Sequence, residues 1–527
     1  MALYAGGGSY SLVADAATDA DGNVYVAGWF SNSRLVLGSQ TLTNTVTSGS
    51  AVGFSKDAFI AKWSPTAHDF VWALRAGGST DHDYATALTV DNGSVYVATM
   101  LENAPAGLAG GPATTGCFLT KLTSAGTLVW TQPVGGTVTA LAAAGGNVYA
   151  TGNFAGAASF GSTSFISQGS NDVFVTKLAD AGATSRFAWT QRIGYAVPGP
   201  KSIAVAGSSV YVAGSNFNAT SVGSTVLATP GAFVAKFADA GATSSVGWVQ
   251  PLSSQATAAT PTASVAIAAL AVSGQAVYLA GSFTGTTTLG ATTLTSSGPA
   301  DLLVARLTDA GATATPAWAQ QAGGANSSSQ ATALLASGNS VYLTGTYSGA
   351  LSFAGSPVAT ASGGILVAKL TDTNSTASLA WLQRVDNFYA VAHALARSGS
   401  KLYVAGIATG NASFGSLTPA GNSGPQAFMA ALADNAEPTP LAAAQPGAAA
   451  TLAVYPNPAR GTATVRVPAG AGPATLYLLD ALGRLLRRET ATAGQEHPLS
   501  LAGLAPGVYA VRVQAGEQAA VQKLLVE

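Results

Sequence analysis

The sequence holds one cysteine, Cys117, so no disulfide can form within the chain. A lone thiol leaves the redox compartment open, because exported folds can be stable without bridges. Charge is scarce too: 22 Lys and Arg face 23 Asp and Glu, and charged residues make up 9% of the 527-residue chain. Globular proteins usually carry roughly a quarter. With a net charge of −1, nucleic acid and anionic membrane surfaces are poor partners. No apolar run reaches the roughly 18 to 20 residues of a membrane-spanning helix. The N-terminus, MALYAGGGSY, has neither the basic nor the apolar region of a signal peptide.

What is plentiful is small and β-branched: Ala, Gly, Ser, Thr and Val dominate. Hydrophobic residues are 48% of the chain and mean hydropathy is +0.32, which argues against disorder. Such a composition suits tightly packed sheets with frequent turns.

A repeat organises the first four fifths of the chain. The string V-Y-V-A-G recurs with its tyrosine at Tyr25, Tyr96, Tyr149, Tyr211, Tyr278, Tyr342 and Tyr403, spaced roughly 53 to 71 residues apart. A second string follows each anchor, as in DAFIAKW from Asp57, DVFVTKL from Asp172 and DLLVARL from Asp301. A third centres on tryptophan, at Trp72, Trp130, Trp189, Trp248, Trp318 and Trp381. A small-residue segment such as SVAIAALAV then leads into the next anchor. Each unit thus holds four short strand-like runs bounded by Gly, Asn, Ser or Asp. Hairpin turns such as DADGN at Asp19 and DNGS at Asp91 join the small segment to the anchor.

Four antiparallel strands repeated about seven times describe an all-β fold, a β-propeller of about seven four-stranded blades. The small-residue strand belongs innermost, where blades crowd at the axis. The tryptophan strand belongs outermost, where the gap widens. After the seventh second string, ending at Asp434, no tryptophan strand follows, and the chain instead begins with one. MALYAGGGSY aligns with WALRAGGSTD, with Met1 opposite Trp72. The N-terminal segment can therefore close the last blade and hide its edge. A start in mid-repeat also points to a truncated or processed beginning.

The GNVYVAG-like anchors, at Asn23 to Gly28, and DAFVAKL-like strands, at Asp57 to Lys62, resemble the bacterial β-propeller repeat family known as SBBP repeats. That resemblance spans residues 1–434 and implies a fold without an activity.

Residues 435–450, NAEPTPLAAAQPGAAA, read as a Pro/Ala-rich linker. Residues 451–527 alternate apolar and polar side chains at Thr462 to Val467 and Val508 to Val513, as expected of a small C-terminal β-sandwich. Ordered motifs mark it: Tyr455-Pro456-Asn457-Pro458, then Asp480 with Gly483 and Arg484, then Leu504, Gly507 and Tyr509, then Lys523. Together they resemble the type A sorting domain of the type IX secretion system of Bacteroidetes-like bacteria. The resemblance implies passage across the outer membrane and recognition by the secretion machinery. It also implies removal by a C-terminal-processing protease, followed by release or attachment to surface lipopolysaccharide. Cleavage is expected in the 435–450 linker.

Motifs for chemistry are few. Asp81-His82-Asp83 concentrates possible metal ligands, but no other blade repeats it, and it reads as a solvated loop. A zinc site needs three or four ligands. Asp19-Ala20-Asp21-Gly22 lacks the later oxygen ligands of a calcium loop and reads as a turn. Cys117 falls where other blades have Ala58, Val173 and Ala232, so it reads as a buried strand residue. Arg484, Arg487 and Arg488 read as a solvated basic run or a contact for the secretion machinery. Nothing matches G-x-S-x-G, H-E-x-x-H or a Walker motif. No catalytic, cofactor or metal residues are assigned.

Between the anchor and the second string each unit has a longer variable segment, longest near Ser31 to Ser55; the segments recur as F-x-G…F/L-G…S-G, so part of each is expected to be an extra hairpin. These segments share one place in the repeat and are expected to gather on one side of the disc, where recognition usually sits. The reading is a secreted or cell-surface, non-enzymatic propeller for protein or glycan binding. An exported carbohydrate-active enzyme with its site in the channel, and a structural surface-layer component, are the alternatives. Acids or histidines converging at the channel mouth would favour the enzyme. An Ala/Ser/Thr lining would favour binding.

Overall fold

The computed structural model describes residues 2–4, 10–31, 34–44, 55–78, 82–102, 108, 115–194, 200, 202–216, 219–257, 262–353, 356–359, 363–387, 389–409, 412, 424–434, 452–467, 473–480, 485–492, 494–515 and 518–527. The fold is all-β. Among the described residues no helix is long and apolar enough to cross a membrane. The chain divides into two compact units, Met1–Leu441 and Ala442–Glu527.

The first unit is a ring of seven antiparallel blades. Blade 1 runs outward through Ser11–Thr18, Val24–Ser31, Lys56–Ser64 and Asp69–Ala76. The later innermost strands are Tyr84–Asp91, Thr137–Ala144, Ser202–Ala206, Ser264–Ser273, Ser328–Ser337 and Val391–Ser398. Each touches the innermost strands on both sides, and the seventh touches the first. Small side chains allow this crowding near the axis. In blade 7 the outer strand is Ala2–Tyr4, which pairs with the third strand through Ala2↔Ala430, Leu3↔Met429 and Tyr4↔Phe428.

The anchor strands are buried on both faces because each blade is sandwiched between two others. Val24, Tyr25, Val26 and Ala27 are all 1% exposed or less. The anchor glycine has a local reason. A Cβ on Gly28 would meet the Leu12 carbonyl oxygen at 1.9 Å. That carbonyl lies just before the bulge in the innermost strand, between Val13 and Asp15. Corresponding bulges occur in blades 2, 3, 5, 6 and 7.

Neighbouring blades are joined by a recurring polar clamp. At the blade 3 to 4 junction the Tyr149 hydroxyl donates to Asp239 at 2.7 Å and the Trp189 Nε1–H donates at 2.9 Å. Lys177 pairs with the same carboxylate at 2.7 Å. Asp180, Asp309 and Asp372 hold equivalent sets at the 2–3, 4–5 and 5–6 junctions. Asp434 receives Tyr342 and Lys369 at 2.6 and 2.9 Å. Blade 1 differs. Trp72 donates to the Ser124 carbonyl, and Tyr25 turns back to Asp19 of its own hairpin. At the closing junction Ala431 occupies the lysine position, and the Trp63 and Tyr403 rings meet at 5.9 Å.

The second unit is a two-sheet sandwich. Ala453–Tyr455, Thr462–Arg466 and Glu496–Ser500 form one sheet. Leu485–Thr492, Pro473–Leu479, Gly507–Ala515 and Gln518–Val526 form the other. Val465, Leu476, Leu478, Leu499, Val511 and Leu524 fill the space between them. Alternating residues reach this core because strand side chains point to opposite faces in turn.

Candidate functional site

Three regions could carry function: the central channel, the segments between the second and third strands, and the C-terminal sandwich. In the channel, the bulges present Ala14, Thr86, Thr139, Ala268, Thr332 and His393 to a cavity of about 250 Å³. Further in, the described lining is Ala, Leu, Ile and Ser, with Asp15 the one carboxylate. Its oxygens accept N–H bonds from Leu88 and Ala16, both at 2.8 Å. Burial pushes the Asp15 carboxyl up to about 6, and the two amides oppose that rise. Ser202 makes a similar contact to the Leu270 amide at 3.0 Å. Asp15 is therefore committed to joining blades 1 and 2. Among the described residues no group of three or more His, Cys, Asp or Glu side chains could hold a metal ion.

The variable segments hold the extra hairpin expected from their recurring pattern. In blades 1, 3, 4, 5 and 6 they contain an added hairpin, for example Ala157–Phe160 with Thr163–Ile166 and Thr286–Leu289 with Thr292–Thr295. Several lie against the preceding blade: Val222 of blade 4 pairs with Ile193, and Phe353 of blade 6 pairs with Ala322. Phe160, Val222 and Phe353 are fully buried. One face of each hairpin is thus a wedge between blades, and only the other face is open. Of the Ser31 to Ser55 segment, residues 32–33 and 45–54 lie outside the described residues.

One expected detail changes. Asp83 is not solvated. It is fully buried, and its oxygens accept from Gly78 and Glu102 N–H at 2.9 and 2.7 Å. His82 is exposed, and Asp81 lies outside the described residues. Asp19 does form a turn, and its carboxylate also accepts from Asn23 and Tyr25. Cys117 is buried, which pushes its thiol up to about 11. It is a packed strand residue that stays protonated at neutral pH.

In the sandwich, Tyr455, Pro456, Asn457 and Pro458 form an exposed segment beside the last strand. Asn457 is the link. Its Nδ2 donates to the Lys523 carbonyl at 2.7 Å, and its Oδ1 accepts from the Leu525 N–H at 2.8 Å. Tyr455 donates to Glu496. Tyr509, on the strand begun by Gly507, donates to the Ala505 carbonyl at 2.7 Å and packs against the core beside Leu504. The first and last motifs are thus joined, while Leu504, Gly507 and Tyr509 sit at the start of the neighbouring strand. Asp480 directly follows the strand Pro473–Leu479, and Gly483 and Arg484 lie outside the described residues. Arg487 donates to the Ser500 and Ala502 carbonyls, so it is a brace between the sheets. The outer face of the larger sheet carries exposed Leu486, Val508 and Leu525. Arg488 and Arg512 flank the Tyr477 ring on that face, at 5.8 and 5.9 Å.

Residues 453–527 match the family described as secretion system C-terminal sorting domain. No curated protein matches the chain. Among solved structures, similarity extends to BamB from Moraxella catarrhalis, at 12% identity over 68% of this chain and 88% of that one, with a TM-score of 0.28. The full extracellular region of Plexin A4 gives 8% identity over 99% and 67%, with a TM-score of 0.41. At these scores neither likeness carries an argument, and the propeller rests on the strand order given above. The sorting domain is that of type IX secretion, and it indicates secretion or a cell-surface location.

Proposed function

We propose that this chain is a non-enzymatic propeller exported through its C-terminal sorting domain to bind protein or glycan outside the cell. The observation that carries the export half is the match over residues 453–527. The binding half is supported by the channel. Its described lining is dominated by Ala, Thr, Ser, Leu and Ile, with one histidine, His393, and one carboxylate that is held by two backbone amides, so acids and histidines do not converge there. A general acid or base has to reach a substrate proton within hydrogen-bond distance, and Asp15 is occupied. The SBBP-like repeat then serves as a rigid scaffold, with recognition at its rim.

In this reading the sandwich is recognised by the secretion machinery through its exposed apolar and basic sheet face, around Tyr477, Arg488 and Arg512. Processing in the 435–450 linker then frees the propeller, for release or attachment to lipopolysaccharide. The test is a glycan and surface-protein binding array with the full chain, run beside a polysaccharide-turnover screen. Binding without turnover is expected. Turnover with a silent array would instead establish the exported carbohydrate-active enzyme. Intact mass of protein from the native cell surface should lack Leu504 to Glu527, and its retention would contradict processing.

A further inference from the structure

The anchor tyrosines and outer-strand tryptophans of the propeller recur blade by blade. Trp29 does not recur, and Tyr10 recurs as a tyrosine in blade 7 but not in blades 2, 3, 5 and 6. Tyr10 precedes the innermost strand of blade 1, and Trp29 lies near the end of the second. Their rings stack at 5.5 Å with 20° between the planes. Register places Met100, Asn153, Ser215, Ser282, Thr346 and Ile407 at the Trp29 position of the other blades. Blade packing therefore does not require an indole there. Tyr10 is 44% exposed, so one edge of the stacked pair faces water.

A cation completes the pair. Lys56 Nζ sits 4.1 Å from the centroid of the Trp29 ring. The corresponding residues of blades 2 to 7 are uncharged. Two acids close to Lys56 in the fold are engaged elsewhere. Asp57 is fully buried against Arg75 at 2.6 Å, and Asp83 is held by backbone amides.

The flanking blades add to the same sector. The position of Tyr10 is taken by Tyr389 in blade 7 and by His82 in blade 2. Tyr389 is 70% exposed. His82 is exposed and forms a backbone bridge with Lys56. In blades 3, 5 and 6 the position holds Gly135, Ser264 and Ser328. Exposed rings thus gather over blades 7, 1 and 2, where the scaffold gives no packing reason for them.

We infer that Tyr10, Trp29 and Lys56 form a binding site for an anionic saccharide, with Tyr389 and His82 as flanking contacts. This rests on the reading of the chain as a binding propeller and names its ligand class. The C–H face of a pyranose ring can lie on an exposed aromatic surface, leaving its hydroxyls hydrated. A uronate or sulfate group on the same chain can then meet the Lys56 ammonium in a charge-assisted contact. A neutral saccharide would use the rings and gain nothing from the lysine. Several ring contacts spaced across adjacent blades favour a chain of sugars over a single residue.

Calorimetric titration of the full chain with oligogalacturonide, a sulfated galactan oligosaccharide and cellohexaose tests the assignment. Binding of one or both anionic probes is expected, at least tenfold weaker in 0.5 M than in 0.05 M NaCl. The two anionic arms separate uronate from sulfate. Tyr10→Ala and Lys56→Gln should each weaken it at least tenfold, with an unchanged unfolding midpoint. Tyr389→Ala should weaken longer oligosaccharides more than short ones. Preference for cellohexaose, or anionic binding untouched by both Tyr10→Ala and Lys56→Gln, would overturn the site and leave the binding propeller standing. Silence toward all three saccharides, with a surface protein bound instead, would also overturn it. Cleavage of a probe would overturn the binding reading itself.

Discussion

The hydroxyl of Tyr211 donates a 2.6 Å hydrogen bond to Asp309, a residue 98 positions later in the chain. Tyr211 belongs to the anchor strand of blade 4, and Asp309 ends the third strand of blade 5. The same carboxylate accepts the Trp248 indole N–H at 3.0 Å and pairs with Lys236 at 2.6 Å. One aspartate therefore gathers three side chains of the preceding blade, and the arrangement recurs around much of the ring.

Removing that carboxylate should be costly. Asp309→Ala leaves the Lys236 ammonium buried without its partner, and breaking a buried pair from one side costs about 3–5 kcal/mol. The urea unfolding midpoint of the propeller should fall accordingly. Asp21→Ala, in an exposed turn, is the control and should leave the midpoint in place.

The clamp also sets an acid limit. Burial alone would raise the Asp309 carboxyl, but Lys236, Tyr211, Trp248 and the Gly311 amide outweigh it and hold it at about 2. Asp180 and Asp239 are lowered by equivalent partners against the same burial, and Asp434 by Tyr342, Lys369 and Arg397. A carboxyl lowered by folding contributes stability that is complete above its ordinary value of 3.8 and is lost as pH falls toward the folded value. Stability of the propeller should therefore drop steeply between about pH 4 and pH 2. Asp309→Asn should make that slope shallower, as read from unfolding midpoints across the range.

Asp15 should behave in the opposite sense. Burial raises its carboxyl from 3.8 to about 6, so the folded state holds the proton more tightly than the unfolded one. Its contribution to stability falls as pH rises through that window. The stability of Asp15→Asn relative to the natural sequence should accordingly grow from about pH 4 to pH 7. A difference that stays constant across that range would show that Asp15 is not titrating there.

In the sorting unit, Asn457 ties the Tyr455 to Pro458 segment to the last strand at Lys523 and Leu525. Asn457→Ala removes both bonds, and each is worth about 0.5–1.5 kcal/mol. Hydrogen exchange at Leu525 should accelerate, and secretion yield should fall. Asn457→Asp keeps the acceptor for Leu525 and should be intermediate on both readouts.

Much of this architecture was legible in the sequence because a propeller writes its blade into the chain seven times. Repeated runs such as V-Y-V-A-G fixed the strand count, and the unmatched tryptophan strand located the closing segment at Ala2–Tyr4. The clamp was harder to read. An aspartate in a string such as Ala179-Asp180-Ala181-Gly182 has the composition of a turn, and its partners Tyr96 and Trp130 lie 84 and 50 residues away. The signal was its recurrence three residues after the strand lysine or arginine at Asp180, Asp239, Asp309 and Asp372. The added hairpins were legible because the F-x-G…F/L-G…S-G pattern recurs with them; that residues such as Phe160 and Val222 pack inward was not. The stacked Tyr10 and Trp29 escaped notice for the reverse reason. They break the repeat, and they become visible only when register shows which positions correspond.

The central claim is export by the C-terminal unit. It is tested most directly by fusing residues 435–527 to a periplasmic reporter that carries its own signal sequence, in a bacterium with type IX secretion. The reporter should appear at the cell surface or in the medium, with the fused segment removed, and should stay in the periplasm when the secretion system is disrupted. A reporter that remains periplasmic in the competent strain, or reaches the surface equally in the disrupted one, would contradict the account.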